Sequence, residues 1–573
     1  MRSPVPSPGP GAGFRLSLIK SRLRGATAAS IRNLPTSSTR QEFHPKPKGI
    51  IMSRFSAVVS TVCLGAALLC SPMVQAEELQ QVSQYGITWT FDRPVRAGQF
   101  INGDWWVIGP VTISRVTPAP GPESPDVILQ AKTNVYGDTS LRSDLRMRNG
   151  SMVLLRAGTK QGYDSRNQSY VPSLSLNFPA VIEPNRSVIS TISNPTIPVA
   201  RFPHEIMWPS EKTCQNTLRV AAVLTVLAEA PPPDAFRPSY AGTTKPIYRA
   251  AQLKWELLKQ LPAPAIDPAA YPAWYELRVP DDWTKMERYF QRAWIDHLTS
   301  WEQQELNPSE NQPNYGREYS RLVSIASLML HLDVPQERKR KLLIGLVQYG
   351  IDLSGVAQVG GYWNWGGGLG SGRKWPIYFA SLMLDAPALR TLPEKAVFHE
   401  DAQCYYGTGW AGQTALNWMV EHHGRRLHYE ERDPGTWDSW DKLSEMYRTN
   451  TNAVSWVGTA LAVRLMQGIV IWNHDSYFDY CDRWMEQEDS YAANRGPYPR
   501  PIRNGEILQE SQTRDPFVTE MWRAYRASAP AQPMAGNPRR MVWTDEGLKW
   551  VPNPKPDAKA VADHVAAIKA ARP

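Results

Sequence analysis

Cysteine is scarce in this chain, with five among 573 residues. Cys63 and Cys70 sit in an apolar stretch near the start, which leaves Cys214, Cys404 and Cys481 far apart. One disulfide at most is available and no C-x-x-C pair exists, so a disulfide-stapled scaffold and a structural zinc site are excluded. Apolar runs long enough to stay in a membrane are also missing. Ser56–Cys70 is too short for the ~20 residues a spanning helix needs. Excess charge is absent from the body of the chain. The net charge is +9, but residues 1–51 carry nine Lys/Arg against Glu42 alone, and Arg54 adds one more. Residues 77–573 are then formally neutral, which argues against general nucleic-acid binding, because that depends on neutralising phosphates. No strict internal repeat is visible.

What is present begins with targeting signals. Met52-Ser-Arg-Phe precedes the apolar run, and Val74-Gln75-Ala76 precedes Glu77, as in a secretory signal peptide over 52–76. Residues 1–51 are rich in Pro, Ser and Arg and are expected to lie upstream of the true start at Met52. A secreted or periplasmic protein without stable membrane insertion is the expectation.

The mature chain divides by periodicity. Residues 77–230 read as short strands punctuated by Pro, Gly and Asn, predicting a β-sandwich-like domain. Gln99–Ile113 reads as a hairpin turning at Asn102-Gly103-Asp104, with Trp105 and Trp106 on opposite faces and one of them in the core. Met152–Leu155, Leu174–Phe178 and Leu218–Leu227 continue the strand pattern. Residues 231–281 form a Pro-rich linker with one helical piece around Tyr248–Leu261. From Asp282 to about residue 490 the apolar period is helical. Segments are predicted at Trp283–Trp301, Arg317–Leu332, near Pro335 to Ile351, at Trp375–Leu384 and Val454–Gln467, and at His474–Met485 behind an Asn473 cap. Helices joined by irregular loops fit a multidomain β + α protein whose second domain is an (α/α) toroid of helical hairpins. The tail, 491–573, is loop-rich, with helices predicted at Phe517–Arg526 and Ala558–Ala571.

The densest stretch is Tyr362–Pro376, with three tryptophans, Gly366-Gly367-Gly368, Gly370, Gly372 and the pair Arg373-Lys374. It fails as a phosphate-binding P-loop, since the lysine is one place late, the Mg²⁺-binding hydroxyl is missing and no strand precedes it. Flat indoles beside an amide and two cations suit an acidic sugar instead. Thirteen of the 22 tryptophans fall between Asp282 and Met485, and Trp363, Trp365 and Trp410 are expected to face solvent. Phe398–Trp410 packs His399, Glu400, Asp401, Tyr405 and Tyr406 together, types suited to moving protons. Glu421-His422-His423-Gly424 reads as a helix end; without H-E-x-x-H, no metal is expected, and no cofactor motif occurs. Asn314–Tyr319 and Tyr447–Asn452 are loops leading into helices, carrying Arg317 and Arg448, and are expected to converge with the glycine stretch.

Gly372–Leu384, Glu400–Gln403, Ser455–Gly458 and Trp472–Asp475 together resemble secreted bacterial (α/α) toroid proteins, similar in architecture to the alginate-lyase and heparinase groups. That resemblance covers roughly 282–490 and implies a polysaccharide lyase cleaving acidic, uronate-containing glycan by β-elimination. It implies Asn364 and Arg373 neutralising the carboxylate, His399 taking the proton and Tyr405 or Tyr406 protonating the leaving oxygen. Trp363, Trp365, Lys374, Trp410, Arg317 and Arg448 would bind substrate. The alternatives are a toroid glycoside hydrolase pairing Glu400 or Asp401 with Asp438 or Asp441, and a non-catalytic glycan-binding or envelope scaffold protein.

Overall fold

The computed structural model describes residues 76–121, 147–167, 169–195, 216–271, 277–299, 306–364, 368–418, 428–486 and 515–571. The leader, nearly all of the signal peptide, Cys214, Trp365 and the Glu421–Gly424 stretch lie outside the described residues.

The N-terminal strands are β1 (Glu77–Gln84), β2 (Ile87–Gln99), β3 (Trp105–Ile108), β4 (Val111–Thr117), β5 (Ser151–Val153), β6 (Ala180–Ile182), β7 (Arg186–Ser193) and β8 (Leu218–Leu227). They form one curled sheet in the order β5-β7-β8-β3-β2-β4-β6, with β1 on β2, in place of the expected two-sheet sandwich. The hairpin forms as read, with Gln99 opposite Trp105. Trp106 is buried and Trp105 is half-exposed. The β3–β8 pairing is parallel and joins strands more than a hundred residues apart, which local pattern does not reveal. Leu174, read as part of a strand, instead ends a 3₁₀ turn at Pro172–Leu174.

Both faces of the sheet are covered, which explains why β8 is apolar without alternation. Val220, Ala222, Leu224 and Val226 point into the curl with Ile87, Trp89, Phe91 and Val188. Leu218, Ala221 and Val223 face the other way, into the same core as the helices. Each Val, Leu or Ile buried there contributes ~1.5–3 kcal/mol relative to exposure.

The helices are α1 (Trp283–Phe290), α2 (Gly316–Leu330), α3 (Gln336–Gln358), α4 (Lys374–Met383), α5 (His399–Gln403), α6 (Ser439–Tyr447), α7 (Ala453–Leu465), α8 (Ile469–Trp472), α9 (Asp475–Glu486), α10 (Pro516–Tyr525) and α11 (Ala558–Ala570). α2 and α7 are buried around their whole circumference and pack on each other, with Ser324 Oγ 2.9 Å from Thr459 Oγ1. α3, α7 and α10 all pack against α2, and α4 lies on α3. α1 stops at Phe290, short of the predicted Trp301. Asn473 adopts a left-handed conformation at φ 57° and ends α8. The chain also forms short hairpins β9 (Cys404–Tyr406) with β10 (Ala415–Asn417), and β11 (Arg539–Thr544) with β12 (Gly547–Pro552).

The Pro-rich linker contains 3₁₀ turns at Ala250–Gln252 and Trp255–Leu257 where a helix was expected. It acts as a clasp between sheet and helices. Arg237, fully buried, bonds Asp104 of the β2–β3 turn, and its two terminal nitrogens reach both carboxylate oxygens of Asp352 on α3 at 2.8 and 2.5 Å. The bidentate fork fixes direction as well as charge. No helix among the described residues is long and apolar enough to cross a membrane.

Candidate functional site

Four stretches singled out in the sequence meet in the fold. The described part of the glycine loop runs from the end of α3 into α4. Trp363 N–H donates to Val397 O at 2.8 Å, and its ring stacks on Phe398 at 5.7 Å. That contact sets α5 beside the loop. The Gly372 N–H then donates to Glu400 Oε1 at 2.7 Å. Gln403 Nε2 donates to Asn364 O at 3.5 Å, a marginal contact.

Gly316, Gly368 and Gly372 are packed tightly against protein. A Cβ on Gly316, at the start of α2, would lie 2.0 Å from Gly368 O, and one on Gly368 would lie 2.3 Å from Thr451 Cγ2. Gly368 and Gly372 also have φ of 92° and 87°, open to glycine at little cost. Asn314–Tyr319, the loop and the Thr451 region are thereby pressed together.

Thr451 belongs to a five-residue π turn, Arg448–Asn452, inserted between α6 and α7. Such turns occur mostly as single-turn interruptions of α-helices, frequently at functional sites. Here it delivers Asn452, whose Oδ1 lies 3.1 Å from His399 Nε2, while Asn452 Nδ2 donates to Asn417 Oδ1 at 3.3 Å. An amide oxygen only accepts, so His399 carries its proton on Nε2 and leaves Nδ1 as a lone pair. Burial holds the imidazole well below its ordinary range, at about 4, so the ring is neutral. Burial also pushes the Glu400 carboxyl up to about 7, against the pull of the Gly372 N–H.

Several polar atoms in this neighbourhood are buried without a hydrogen-bond partner: Asn364 Oδ1, His399 Nδ1, Glu400 Oε2 and Asn417 Nδ2. The Tyr405 hydroxyl faces Glu431. Each orphaned group costs about 1–3 kcal/mol. Others lie elsewhere in the chain, among them Gln84 Oε1, Asn216 Oδ1, Asn307 Oδ1 and His331 Nε2.

The cations are placed differently from expectation. Arg373 is fully buried and paired with Asp296, Nε to Oδ2 and a terminal nitrogen to Oδ1 both at 3.0 Å, with the Tyr319 ring centroid 3.5 Å from its guanidinium carbon. Lys374 Nζ holds both oxygens of Asp401 at 2.9 and 2.7 Å. Arg448 is clamped by Glu445 at 2.7 and 2.8 Å, and Arg317 by Glu318 at 2.6 Å. Each of the four thus has a carboxylate partner inside the protein, Glu318 being shared between Arg317 and Arg321. The indoles need the same correction. Trp363 and Trp410, expected at the surface, are 2% and 6% exposed. Trp410 packs with Tyr429 and Trp437 beneath Ile568 of α11.

Tyr405 and Tyr406, adjacent on β9, point opposite ways. Tyr405 joins Leu416, Trp418 and Met541 beside the His428 ring, 4.2 Å away between centroids. Tyr406 OH donates to Asp479 Oδ2 at 2.9 Å. Of the hydrolase carboxylates, Asp401 is paired with Lys374, while Asp438 and Asp441 form the capping box of α6 and Asp441 also meets Arg432 at 2.6 Å.

Sequence reading missed Asp296, Asn417 and Glu430, the last of which bonds the Asn417 N–H at 2.7 Å and Arg483 at 2.6 Å. No local pattern marks them. Among the described residues, no group of three or more His, Cys, Asp or Glu is arranged to hold a metal. Comparison with protein-family models, curated proteins and solved structures returned no match to this chain.

Proposed function

We propose that this chain is a secreted or periplasmic polysaccharide lyase that cleaves acidic, uronate-containing glycan by β-elimination, with its helical hairpins arranged as an (α/α) toroid. The observation that carries the reading is the convergence of unsatisfied buried polar atoms from the glycine loop, α5 and β10 beside the π turn. Their types match the reaction. His399 Nδ1 offers a lone pair for the proton next to the carboxylate, and an anionic substrate raises its basicity from the depressed value. Glu400, near half-protonated at neutral pH, can donate from Oε2 to the substrate carboxylate, as a neutral carboxylic acid does in a desolvated site. The Asn417 amide adds a further donor, and Asn364 Oδ1 an acceptor for a sugar hydroxyl. Tyr405, kept protonated by burial, is the candidate acid for the leaving oxygen. Arg373 and Lys374 become positioning residues that hold the loop. β11–β12 lies over Tyr405, so a polymer reaches the site by displacing that cover.

Recombinant protein incubated with alginate, pectate, hyaluronan and heparosan should release unsaturated products, detected by their ultraviolet absorbance. His399→Asn and Glu400→Gln should each abolish the release while the protein stays folded. Silence across the panel overturns the proposal. New reducing ends without absorbance would select a hydrolase using Glu400, whose raised pKa also suits a general acid. Binding without turnover, unchanged in His399→Asn, would select a glycan-binding scaffold.

A further inference from the structure

A second site lies away from that cluster, where the sheet, the linker and α3 meet. A cleft of about 590 Å³ opens there, within the size range of small-molecule sites. Its walls are locked together by close contacts. The linker turns at Gly242, whose φ is 68° and whose N–H donates to Leu154 O at 2.8 Å. A Cβ on Gly242 would lie 2.9 Å from Val359 Cγ1, and one on Gly355 of α3 would lie 2.1 Å from Ser239 Oγ. The linker is thereby seated on the last turns of α3. The Ala157 N–H donates to Val359 O at 3.1 Å, which brings the chain after β5 to the same rim.

The lining has both kinds of surface that a sugar ring needs. Leu155, 51% exposed, Pro246 and Tyr248 supply apolar area. Among the described residues the hydroxyls of Thr243, Thr244 and Tyr248 have no hydrogen-bond partner. Gln358 spends its Nε2 on Thr391 O at 2.6 Å and keeps its Oε1 as an acceptor. Charge decides the class of ligand. Arg186, at the start of β7, lines the cleft, and its guanidinium reaches only the carbonyl of the adjacent Asn185, at 3.3 Å. Arg156 stands between Leu155 and Ala157, and Lys395 Nζ would lie 3.4 Å from a Cβ on Gly360, next to Val359. Among the described residues none of these three cations forms an ion pair, whereas the fully buried Arg237, Arg373 and Arg448 are each held by a carboxylate. Glu183 and Glu394 are exposed and outside ion-pair distance of all three. A forked guanidinium with no internal partner, at the edge of a cleft, matches a carboxylate in geometry and charge.

We propose that this cleft binds an acidic monosaccharide unit. Its carboxylate meets Arg186, its hydroxyls meet Thr243, Thr244, Tyr248 and Gln358 Oε1, and its apolar face lies against Leu155 and Pro246. Arg156 and Lys395 add positive potential around the mouth and draw the anion in. The inference is independent of the lyase reading, since it uses none of the residues beside His399, and a free monosaccharide offers no glycosidic bond for a lyase to cleave.

The test is calorimetric titration of the full-length protein with glucuronate, galacturonate and mannuronate, with galactose and acetate as controls. At least one uronate should bind. Galactose and acetate should each bind about 10-fold more weakly or worse, because one lacks the charge and the other the ring. Arg186→Gln should weaken that uronate about 10- to 100-fold, the loss of one charge-assisted contact. The same variant should leave the melting temperature unchanged, since Arg186 holds only its neighbour's carbonyl. Hydrogen exchange should slow in 239–248 and 351–359 when the uronate is added. No binding by any of the three at tens of millimolar overturns the proposal, as does an affinity unchanged in Arg186→Gln. Acetate binding as tightly as uronate overturns it too, showing a simple anion site. Protection confined to the segments around His399 would place the sugar there and also overturn it. Silence of the glycan panel in the lyase assay leaves each of these readings unaffected.

Discussion

The Arg373–Asp296 pair is the sharpest place to separate a structural cation from a substrate-binding one. Both side chains are fully buried, and two bonds of 3.0 Å join them in a fork. Arg373 also donates to Leu369 O at 2.8 Å and Ser371 O at 2.6 Å, and Tyr349 OH donates to Asp296 Oδ2 at 2.9 Å. Asp296→Asn keeps the shape and removes the charge. The guanidinium then stays buried with two carbonyls, one amide oxygen and the Tyr319 ring, and faces an NH₂ group where an acceptor stood. Breaking one half of a buried pair costs about 3–5 kcal/mol. At about 2 °C per kcal/mol for a large chain, the melting temperature should fall by about 6–10 °C. The double variant Asp296→Leu/Arg373→Met should recover most of that loss, because a well-packed apolar replacement removes both charges together. Differential scanning calorimetry of the three proteins decides it. If Asp296→Asn melts within about 2 °C of the parent, the pair is not the closed ionic lock described above. Arg373 would then be available to a ligand after all.

Three further outcomes follow from the same structure. His297 and His399 are held at about 4 and His331 at about 3 by burial, so the unfolded chain binds protons that the fold refuses below about 6.5; stability should therefore fall as pH drops from 6.5 towards 4. Glu400, raised to about 7, works the other way between about 4.5 and 7, so Glu400→Gln should steepen the acid loss while His399→Asn should flatten it by about 1.4 kcal/mol per pH unit, read from melting temperature against pH. Gly316→Ala should destabilise by about 3 kcal/mol or more, because its Cβ would collide with the Gly368 and Leu369 carbonyl oxygens at 2.0 and 2.4 Å, whereas Gly103→Ala meets no atom within 4 Å and should cost only about 1–2 kcal/mol from its φ of 88°; equal losses in denaturant melts would refute the packing account. Truncation after residue 538 should uncover Tyr405, Trp410 and Trp418, raising hydrophobic-dye binding and red-shifting tryptophan emission; unchanged spectra would mean that β11–β12 and α11 do not cover them.

What the sequence made legible follows the range of each physical signal. Hydrophobic period is local, so α2, α7 and α10 emerge within a residue or two of their predicted limits, and β8 at its predicted limits. Sheet pairing is not local. The parallel β3–β8 contact turns the expected sandwich into one curled sheet, and nothing within either strand announces the other. The loops that gather around His399 were each recognisable by composition, and they do converge. Their internal partners were not readable, because a side chain's partner is invisible from its own neighbourhood. Arg373 meets Asp296 across 77 residues, and Arg237 meets Asp104 and Asp352 across 133 and 115. Glycine and tryptophan invite the same error, since close approach to a backbone oxygen and close approach to a ligand demand the same residue. Charge balance supplies the missing constraint. In a body that is formally neutral, a buried Arg or Lys is more economically explained by an internal carboxylate than by a waiting substrate.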